Sequence, residues 1–182
     1  MPSRFLPLVL FLAGLSALPA HAAAKPVSVL SEFPLGFYAA HVVHDAARGA
    51  LYASDPTGQR VVRLRLPDGV VTGSLTFTNR PERMALTPDG SQLLVSLPIR
   101  PHDSMWTADQ AGCLAVVDLH TFTSVRQLAV AIDPYDLVAT DQDTAVLSSG
   151  SGQWTYIQTV DLASGSNLGD VSGIIRELSR LL

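Results

Sequence analysis

Short apolar strands separated by tight turns recur along the chain after residue 40. Three segments share one pattern, an apolar strand, a four-residue turn and a second apolar strand. The turns are Ala46–Gly49, Pro88–Ser91 and Asp141–Thr144. Proline presets the backbone φ angle and glycine accepts a positive one, so Pro88-Asp89-Gly90 is a strong turn signal. This alternation predicts an all-β chain.

Each segment runs on into further strands, so the pattern is a repeat. The first strands begin at His41, Arg83 and Asp136, and the longer second interval is explained by an insertion at Pro98–Gly112. Four short antiparallel strands in about 42 residues make one blade of a β-propeller. A β-sandwich also has short strands and frequent turns, but it does not predict self-similarity at this period. We predict a β-propeller repeat with three four-stranded antiparallel blades, at 38–80, 81–133 and 134–172.

The second repeat carries a resemblance to a known family. It contains Pro81-x-x-Met-Ala-Leu-Thr-Pro-Asp-Gly-x-x-Leu-Leu-Val and later a Val-Val-Asp-Leu strand. This resembles the YVTN-type repeat of bacterial and archaeal propellers, which is similar to lactonase-like and amine-dehydrogenase-like propellers. The resemblance covers roughly residues 26–172 and implies a propeller fold, but it says little about function. The third repeat departs from it, with Asp141-Gln142-Asp143 in place of the Pro-Asp-Gly turn.

Three repeats are too few for a closed ring, because known closed propellers have about four to eight blades. Repeats also need neighbours to bury their faces. We therefore predict an incomplete ring, or a partial propeller. Residues 23–37 contain an apolar stretch predicted to be a closing strand. Residues 173–182 form a tail, either the end of an incomplete repeat or a short amphipathic capping helix.

The N-terminus has the three parts of a secretory signal peptide at residues 1–22. Arg4 gives the positive charge, Phe5–Leu18 is the apolar stretch, and Ala20-His21-Ala22 offers small residues for cleavage. A membrane anchor is the alternative, but the apolar run is short for a span of about 20 residues. We predict a periplasmic or secreted protein that has no membrane association after cleavage.

Composition narrows the class of protein further. Hydrophobic residues make up 47% of the chain and charged residues 15%, which excludes a disordered polymer. The net charge of -4 argues against a nucleic-acid partner bound by bulk charge. The one cysteine, Cys113, lies in an apolar strand, so no intramolecular disulfide can form and the thiol is expected to be buried and inert.

Three ionisable residues begin the first, innermost strands of the blades: His41, Arg83 and Asp136. Strand direction places the start of the first strand and the end of the second on one side, which we call the channel-mouth face. The three residues are therefore candidate ligand-binding residues around the mouth of the channel. The alternative is that they are solvated rim residues.

Two tryptophans are candidate apolar anchors for a ligand on the same face. Trp106 lies in the insertion Pro98–Gly112, and Trp154 lies in Gly150–Thr155, the corresponding loop of the third blade. Exposed tryptophan often marks a contact surface, and long loops on a rigid scaffold are where binding usually resides. The alternative is that each indole packs on the edge of its own blade.

The sequence offers no catalytic residue, metal site or cofactor site. His41 and His44 are three apart on a strand and point to opposite faces, so they cannot share one ion. The insertion's His102 is expected to be exposed. No Gly-x-Ser-x-Gly motif supports a hydrolase.

The leading hypothesis is an exported binding or scaffold module without chemistry of its own. Its partner would be a protein, glycan or small ligand on the channel-mouth face, and exposed blade faces would also permit self-association. The alternative is a truncated fragment of a propeller enzyme, such as a lactonase-like hydrolase or a quinoprotein-like dehydrogenase. A third hypothesis is a truncated gene product with no independent function.

The first testable prediction concerns export. We expect the mature chain to begin at Ala23, with Ala24 or Lys25 as alternatives, because the small residues at Ala20 and Ala22 suit a signal peptidase. N-terminal sequencing of exported material measures this directly. An intact Met1 in that material would contradict the prediction.

Overall fold

The computed structural model describes residues 32–105, 111–152, 155–175 and 181. The chain divides into two compact units, Met1–Leu30 and Ser31–Leu182, and all described residues belong to the second. The predicted signal peptide, Trp106 and Trp154 lie outside the described residues. Within the described part of the chain, no helix is long and apolar enough to cross a membrane.

Twelve strands form three antiparallel sheets among the described residues, and each sheet consists of four consecutive strands. Blade 1 contains β1 (His41–Asp45), β2 (Ala50–Asp55), β3 (Arg60–Arg65) and β4 (Val71–Thr76). Blade 2 contains β5 (Met84–Leu86), β6 (Gln92–Pro98), β7 (Gly112–Asp118) and β8 (Thr123–Val130). Blade 3 contains β9 (Pro134–Ala139), β10 (Thr144–Ser149), β11 (Thr155–Asp161) and β12 (Asn167–Ile175). The inner strands β1, β5 and β9 contact one another in sequence order.

The predicted fold class is confirmed: three four-stranded antiparallel blades form a propeller whose ring is not closed. The third blade forms although its first turn lacks the Pro-Asp-Gly motif. Its turn uses Asp143, with φ of 53°, where the turns of blades 1 and 2 use Gly49 and Gly90, with φ of 58° and 67°. Aspartate is among the few non-glycine residues that enter this left-handed region readily. An aspartate therefore serves where glycine was expected.

The N-terminal segment covers one face of blade 1. Residues 32–40, which include the described part of the predicted closing strand, form no strand. Phe33, Leu35 and Phe37 instead pack on a small apolar cluster built from Ala53, Val62 and Leu64. Blade 3 has its own fourth strand in β12, which extends to Ile175 and so into the predicted tail. That blade needs no strand from the N-terminus.

Two apolar cores hold the blades together, one between blades 1 and 2 and one between blades 2 and 3. We call the side of each blade that meets the following blade its far face, and the opposite side its near face. Side chains alternate along a strand, so Leu93 and Val95 of β6 enter the first core while Leu94 enters the second. All three are fully buried. Blade 2 is therefore covered on both faces.

A buried serine near the end of each second strand ties a blade to its inner strand. The serines are Ser54, Ser96 and Ser148. In blade 1, the hydroxyl of Ser54 accepts the N–H of His41 at 2.9 Å and donates to the carbonyl of Glu82 at 2.7 Å. The hydroxyl of Ser96 donates in the same way to the carbonyl of Tyr135 at 3.2 Å. The first bond reaches the segment before β5 and the second reaches the start of β9, so they fix one blade relative to the next.

We predict that Leu94→Ala destabilises the protein by about 2–5 kcal/mol, because it removes a fully buried side chain from the core between blades 2 and 3. Urea-induced unfolding measures the change. Leu168→Ala is the matched control, since Leu168 is exposed, and we expect a change within about 0.5 kcal/mol. Equal effects of the two substitutions would contradict the described core.

Candidate functional site

The three predicted channel-mouth residues occupy corresponding positions at or near the start of the inner strands. Each donates its backbone N–H to the serine at the end of the second strand of its own blade. Each side chain also makes a contact further along the chain. His41 Nδ1 accepts the N–H of Met84 at 3.2 Å, and Arg83 donates to Tyr135 Oη at 2.8 Å. Asp136 accepts the N–H of Leu181 at 2.9 Å. The first two contacts join successive repeats, and the third joins blade 3 to the C-terminal tail. A ligand-binding role for the three residues stays a prediction.

A polar cleft of about 340 Å³ opens on the channel-mouth face. Its walls are the β2–β3 loop at residues 56–59, the β4–β5 loop at residues 78–80, and Ile99 at the start of the insertion. The side-chain amide of Gln59 donates to the carbonyl of Thr78 at 2.8 Å and holds the first two walls together. The cleft therefore lies between blade 1 and the insertion of blade 2.

The β2–β3 wall is built by a buried carboxylate. Asp55 accepts the N–H of Gly58 at 2.8 Å and the Nε–H of Arg60 at 2.9 Å. A Cβ at Gly58 would overlap the Asp55 carboxylate, so a larger residue here would displace the side chain that builds the turn. The turn carries Thr57 and Gln59 to the cleft.

Arg80 brings a positive charge to the cleft and is the only charged side chain among the described residues that line it. Its Nε lies 3.3 Å from Glu82 Oε1, an ion pair without hydrogen-bond geometry. The remaining described lining residues carry amide, hydroxyl or apolar groups. A cation among uncharged donors and acceptors is suited to an anion.

Behind Arg80 lies a largely buried network of ionisable groups. Glu82 Oε2 lies 2.7 Å from His102 Nε2, and His102 Nδ1 lies 2.6 Å from Asp133 Oδ2. The hydroxyl of Ser151 donates to the same Asp133 oxygen. The other oxygen of Asp133, Oδ1, is buried without a hydrogen-bond partner. The insertion, the segment before β5, the segment before β9 and the loop after β10 thus meet at one point.

The network holds His102 in its protonated form. Burial by itself lowers the pKa of an imidazole, but the hydrogen bonds to Asp133 and Glu82 outweigh it and raise the pKa of His102 to about 9. In the order in which they contact one another, Arg80, Glu82, protonated His102 and Asp133 carry alternating positive and negative charges. The net charge of the cluster is therefore zero. A neutral His102 would leave one uncompensated negative charge inside it.

The arrangement is not that of a nucleophilic triad. The single proton of the Ser151 hydroxyl goes to Asp133, and both nitrogens of His102 face carboxylates. A serine nucleophile needs its hydroxyl next to a base that can take the proton. Among the described residues, no group of three or more His, Cys, Asp or Glu is arranged to hold a metal ion.

The network attaches the insertion to blade 3. The N–H of Asp103 donates to Ser151 Oγ at 2.8 Å, and the N–H of Gly152 donates to the carbonyl of Asp103 at 2.9 Å. A Cβ at Gly150 would overlap the His102 ring, so glycine allows the close approach. Because Ile99 belongs to the same insertion, the position of His102 also fixes one wall of the cleft.

The prediction that His102 is exposed was wrong, since only 12% of its side chain is accessible. The sequence contains one local hint of an acidic site: an acidic residue stands next to a proline near the start of two inner strands, at Pro81-Glu82 and Asp133-Pro134. Nothing in the sequence shows that these meet His102. Cys113 is half-buried rather than fully buried, and burial raises the pKa of its thiol.

Comparison with known proteins supports the β-propeller fold but does not assign the chain to a family. No protein-family model matches the chain, and no curated protein sequence matches it. Among solved structures, Kuenenia stuttgartiensis hydrazine synthase matches 74% of this chain at 21% identity, with a TM-score of 0.60 and 36% of its own length covered. U3-55K matches 76% at 9% identity, with a TM-score of 0.58 and 40% coverage.

A third neighbour, the dihydro-heme d1 dehydrogenase NirN, matches 72% of the chain at 12% identity, with a TM-score of 0.52 and 27% coverage. At these identities the likeness shows the β-propeller fold alone. The chain spans 27% to 40% of the length of these three neighbours.

We predict that His102 makes stability depend on pH. Its pKa is raised on folding from about 6.5 to about 9, so its contribution is complete below about pH 6.5 and is lost as the pH rises through 9. The contribution is on the order of 3 kcal/mol. Urea unfolding of the wild type and His102→Gln at about pH 6 and pH 10 measures it.

The neutral glutamine should remove most of that pH dependence. His120→Gln, at an exposed histidine, is the control and should leave the dependence unchanged. The same pH dependence in His102→Gln as in the wild type would contradict a charged cluster.

Proposed function

We propose that the mature chain is an exported binding module that takes a small ligand in the cleft on the channel-mouth face. The observation that carries the proposal is the cleft itself, with polar walls from two blades and Arg80 as its charged lining residue. Ligands commonly bind on loops held by a rigid scaffold. A YVTN-type identity of the repeats, suggested by the second repeat, is part of this proposal.

The chemistry of the walls favours a small hydroxylated carboxylate, such as a sugar acid. The chain has a net charge of -4, so an anion is repelled by most of its surface and is favoured only near a local cation. Arg80 supplies that cation, and Thr57 and Asn79 supply groups that can bond to hydroxyls. The volume is near the lower end of ordinary ligand pockets.

We predict that the protein binds D-glucuronate in preference to D-glucose, which has the same ring but no carboxylate. Ligand-observed NMR on the mature protein compares the two. Arg80→Gln should weaken glucuronate binding roughly tenfold or more, since a hydrogen bond to a charged group contributes about 1.5–3 kcal/mol.

Arg65→Gln is the matched control, because Arg65 pairs with Asp68 in an exposed turn away from the cleft. Circular dichroism verifies that each variant is folded. Equal binding of glucose and glucuronate, or equal losses in the two variants, would contradict this proposal. The roles predicted for His41, Arg83, Asp136, Trp106 and Trp154 are tested by alanine variants in the same assay.

The second candidate function is a fragment of a propeller enzyme. It is favoured by the small share of each structural neighbour that the chain spans, two of which are named as a synthase and a dehydrogenase. Stoichiometric metal or quinone in the purified protein would favour this candidate over the binding module.

A further inference from the structure

The carboxylate of Glu82 lies between two cations. Glu82 Oε1 is 3.3 Å from Arg80 Nε, and Glu82 Oε2 is 2.7 Å from His102 Nε2. The contact with His102 is a short hydrogen bond between charged groups, whereas the contact with Arg80 lacks hydrogen-bond geometry. Glu82 is therefore held mainly by His102, and the charge of Arg80 is only partly compensated.

Of these three side chains, Arg80 alone lines the cleft. Its side chain is 39% accessible, against 12% for Glu82 and for His102. Charges interact more strongly where water is excluded than at a solvated surface. The charge on His102 can therefore act, through Glu82, on a ligand that contacts only Arg80.

His102 is enclosed by ionisable groups from several elements. On the described part of the chain these are Glu82, Asp133, Tyr135 and Arg83, with Arg100 and Asp103 on the insertion itself. Glu82 and Asp133 contact the two ring nitrogens, while Arg83 donates to the Tyr135 hydroxyl. Loss of the imidazolium proton would therefore leave both carboxylates without the cation between them.

We propose that His102 regulates anion binding in the cleft, a role that rests on the proposed function above. The protonated ring holds Glu82 and leaves the charge of Arg80 to the ligand. Loss of the proton returns Glu82 to Arg80 and places a net negative charge behind the bound anion. The pKa of His102 is raised to about 9, so the favourable state is complete at neutral pH and is lost as the pH rises through 9.

Two neutral substitutions should change the affinity for D-glucuronate in opposite directions at about pH 7. His102→Gln should weaken binding at least about threefold, because Glu82 then compensates Arg80. Glu82→Gln keeps an oxygen acceptor for the Nε2–H of His102 but removes the charge that competes for Arg80, so it should strengthen binding at least about threefold. Ligand-observed NMR measures the affinities, and circular dichroism verifies that each variant is folded.

His120→Gln and Asp141→Asn are the matched controls. Each removes one ionisable group at an exposed position, in a turn away from the channel-mouth face, and should leave the affinity unchanged. Wild-type binding should also weaken between about pH 7 and pH 10, since Arg80 and the ligand carboxylate keep their charges over this range while His102 loses its own. His102→Gln should show no such change.

A measurement without ligand separates the charge coupling from the proposed function. The imidazole titration of His102, followed by NMR and assigned by its absence in His102→Gln, should have a higher midpoint in Arg80→Gln than in the wild type. The reason is that Glu82 is then no longer shared with a second cation.

Unchanged or weaker glucuronate binding in Glu82→Gln, or an unchanged His102 midpoint in Arg80→Gln, would overturn the regulation and leave the glucuronate site itself standing. A wild type that binds no glucuronate would overturn the proposed function and with it the regulation. The His102 midpoint would then still decide whether the charges are coupled.

Discussion

The need of each blade for apolar cover on both faces determines most of this structure. Strands of alternating polarity normally leave one face of a sheet to water, but here Leu93 and Leu94 are adjacent in sequence and both fully buried, on opposite faces. Blade 2 meets this need with its two neighbours. Blade 1 meets it on its near face with the segment around Phe33 and Phe37. Blade 3 is covered by blade 2 on its near face. On its far face Leu181 contacts Asp136, while Val138 and Val171 are exposed.

The serines repeated in the second strands fix the position of each blade relative to the next. A hydrophobic core is non-directional and would let two blades slide over each other. A buried hydroxyl that accepts from the inner strand of its own blade and donates at or just before the start of the next inner strand has direction and length. Ser54 and Ser96 both make this pair of contacts. The polar residues that begin the inner strands then occupy comparable positions in every blade.

The fold could be predicted from the sequence because the patterns that indicate it lie within short stretches of the chain. Strand alternation, turns such as Pro88-Asp89-Gly90 and the repeat period predicted three blades, and the three inner strands were located within about two residues. The cluster around His102 was not predictable in this way. Glu82 and Asp133 lie 20 and 31 residues from His102. The path of the insertion within blade 2 brings His102 to Glu82, and its packing against the start of blade 3 brings it to Asp133. Periodicity contains no information about contacts that an insertion makes outside the repeat.

The buried charges of that cluster serve placement more than stability. Desolvation of several ions offsets much of their Coulomb attraction, so a buried network adds little net free energy compared with apolar packing. An apolar contact would, however, tolerate several positions of the insertion. The His102 ring has two nitrogens on fixed vectors and a carboxylate on each, so the described geometry satisfies both at one position of the loop. Since Ile99 lies three residues earlier on the same insertion, the shape of the cleft depends on a contact between blades 2 and 3. A ligand at Arg80 would therefore depend on ionisable groups that it does not touch.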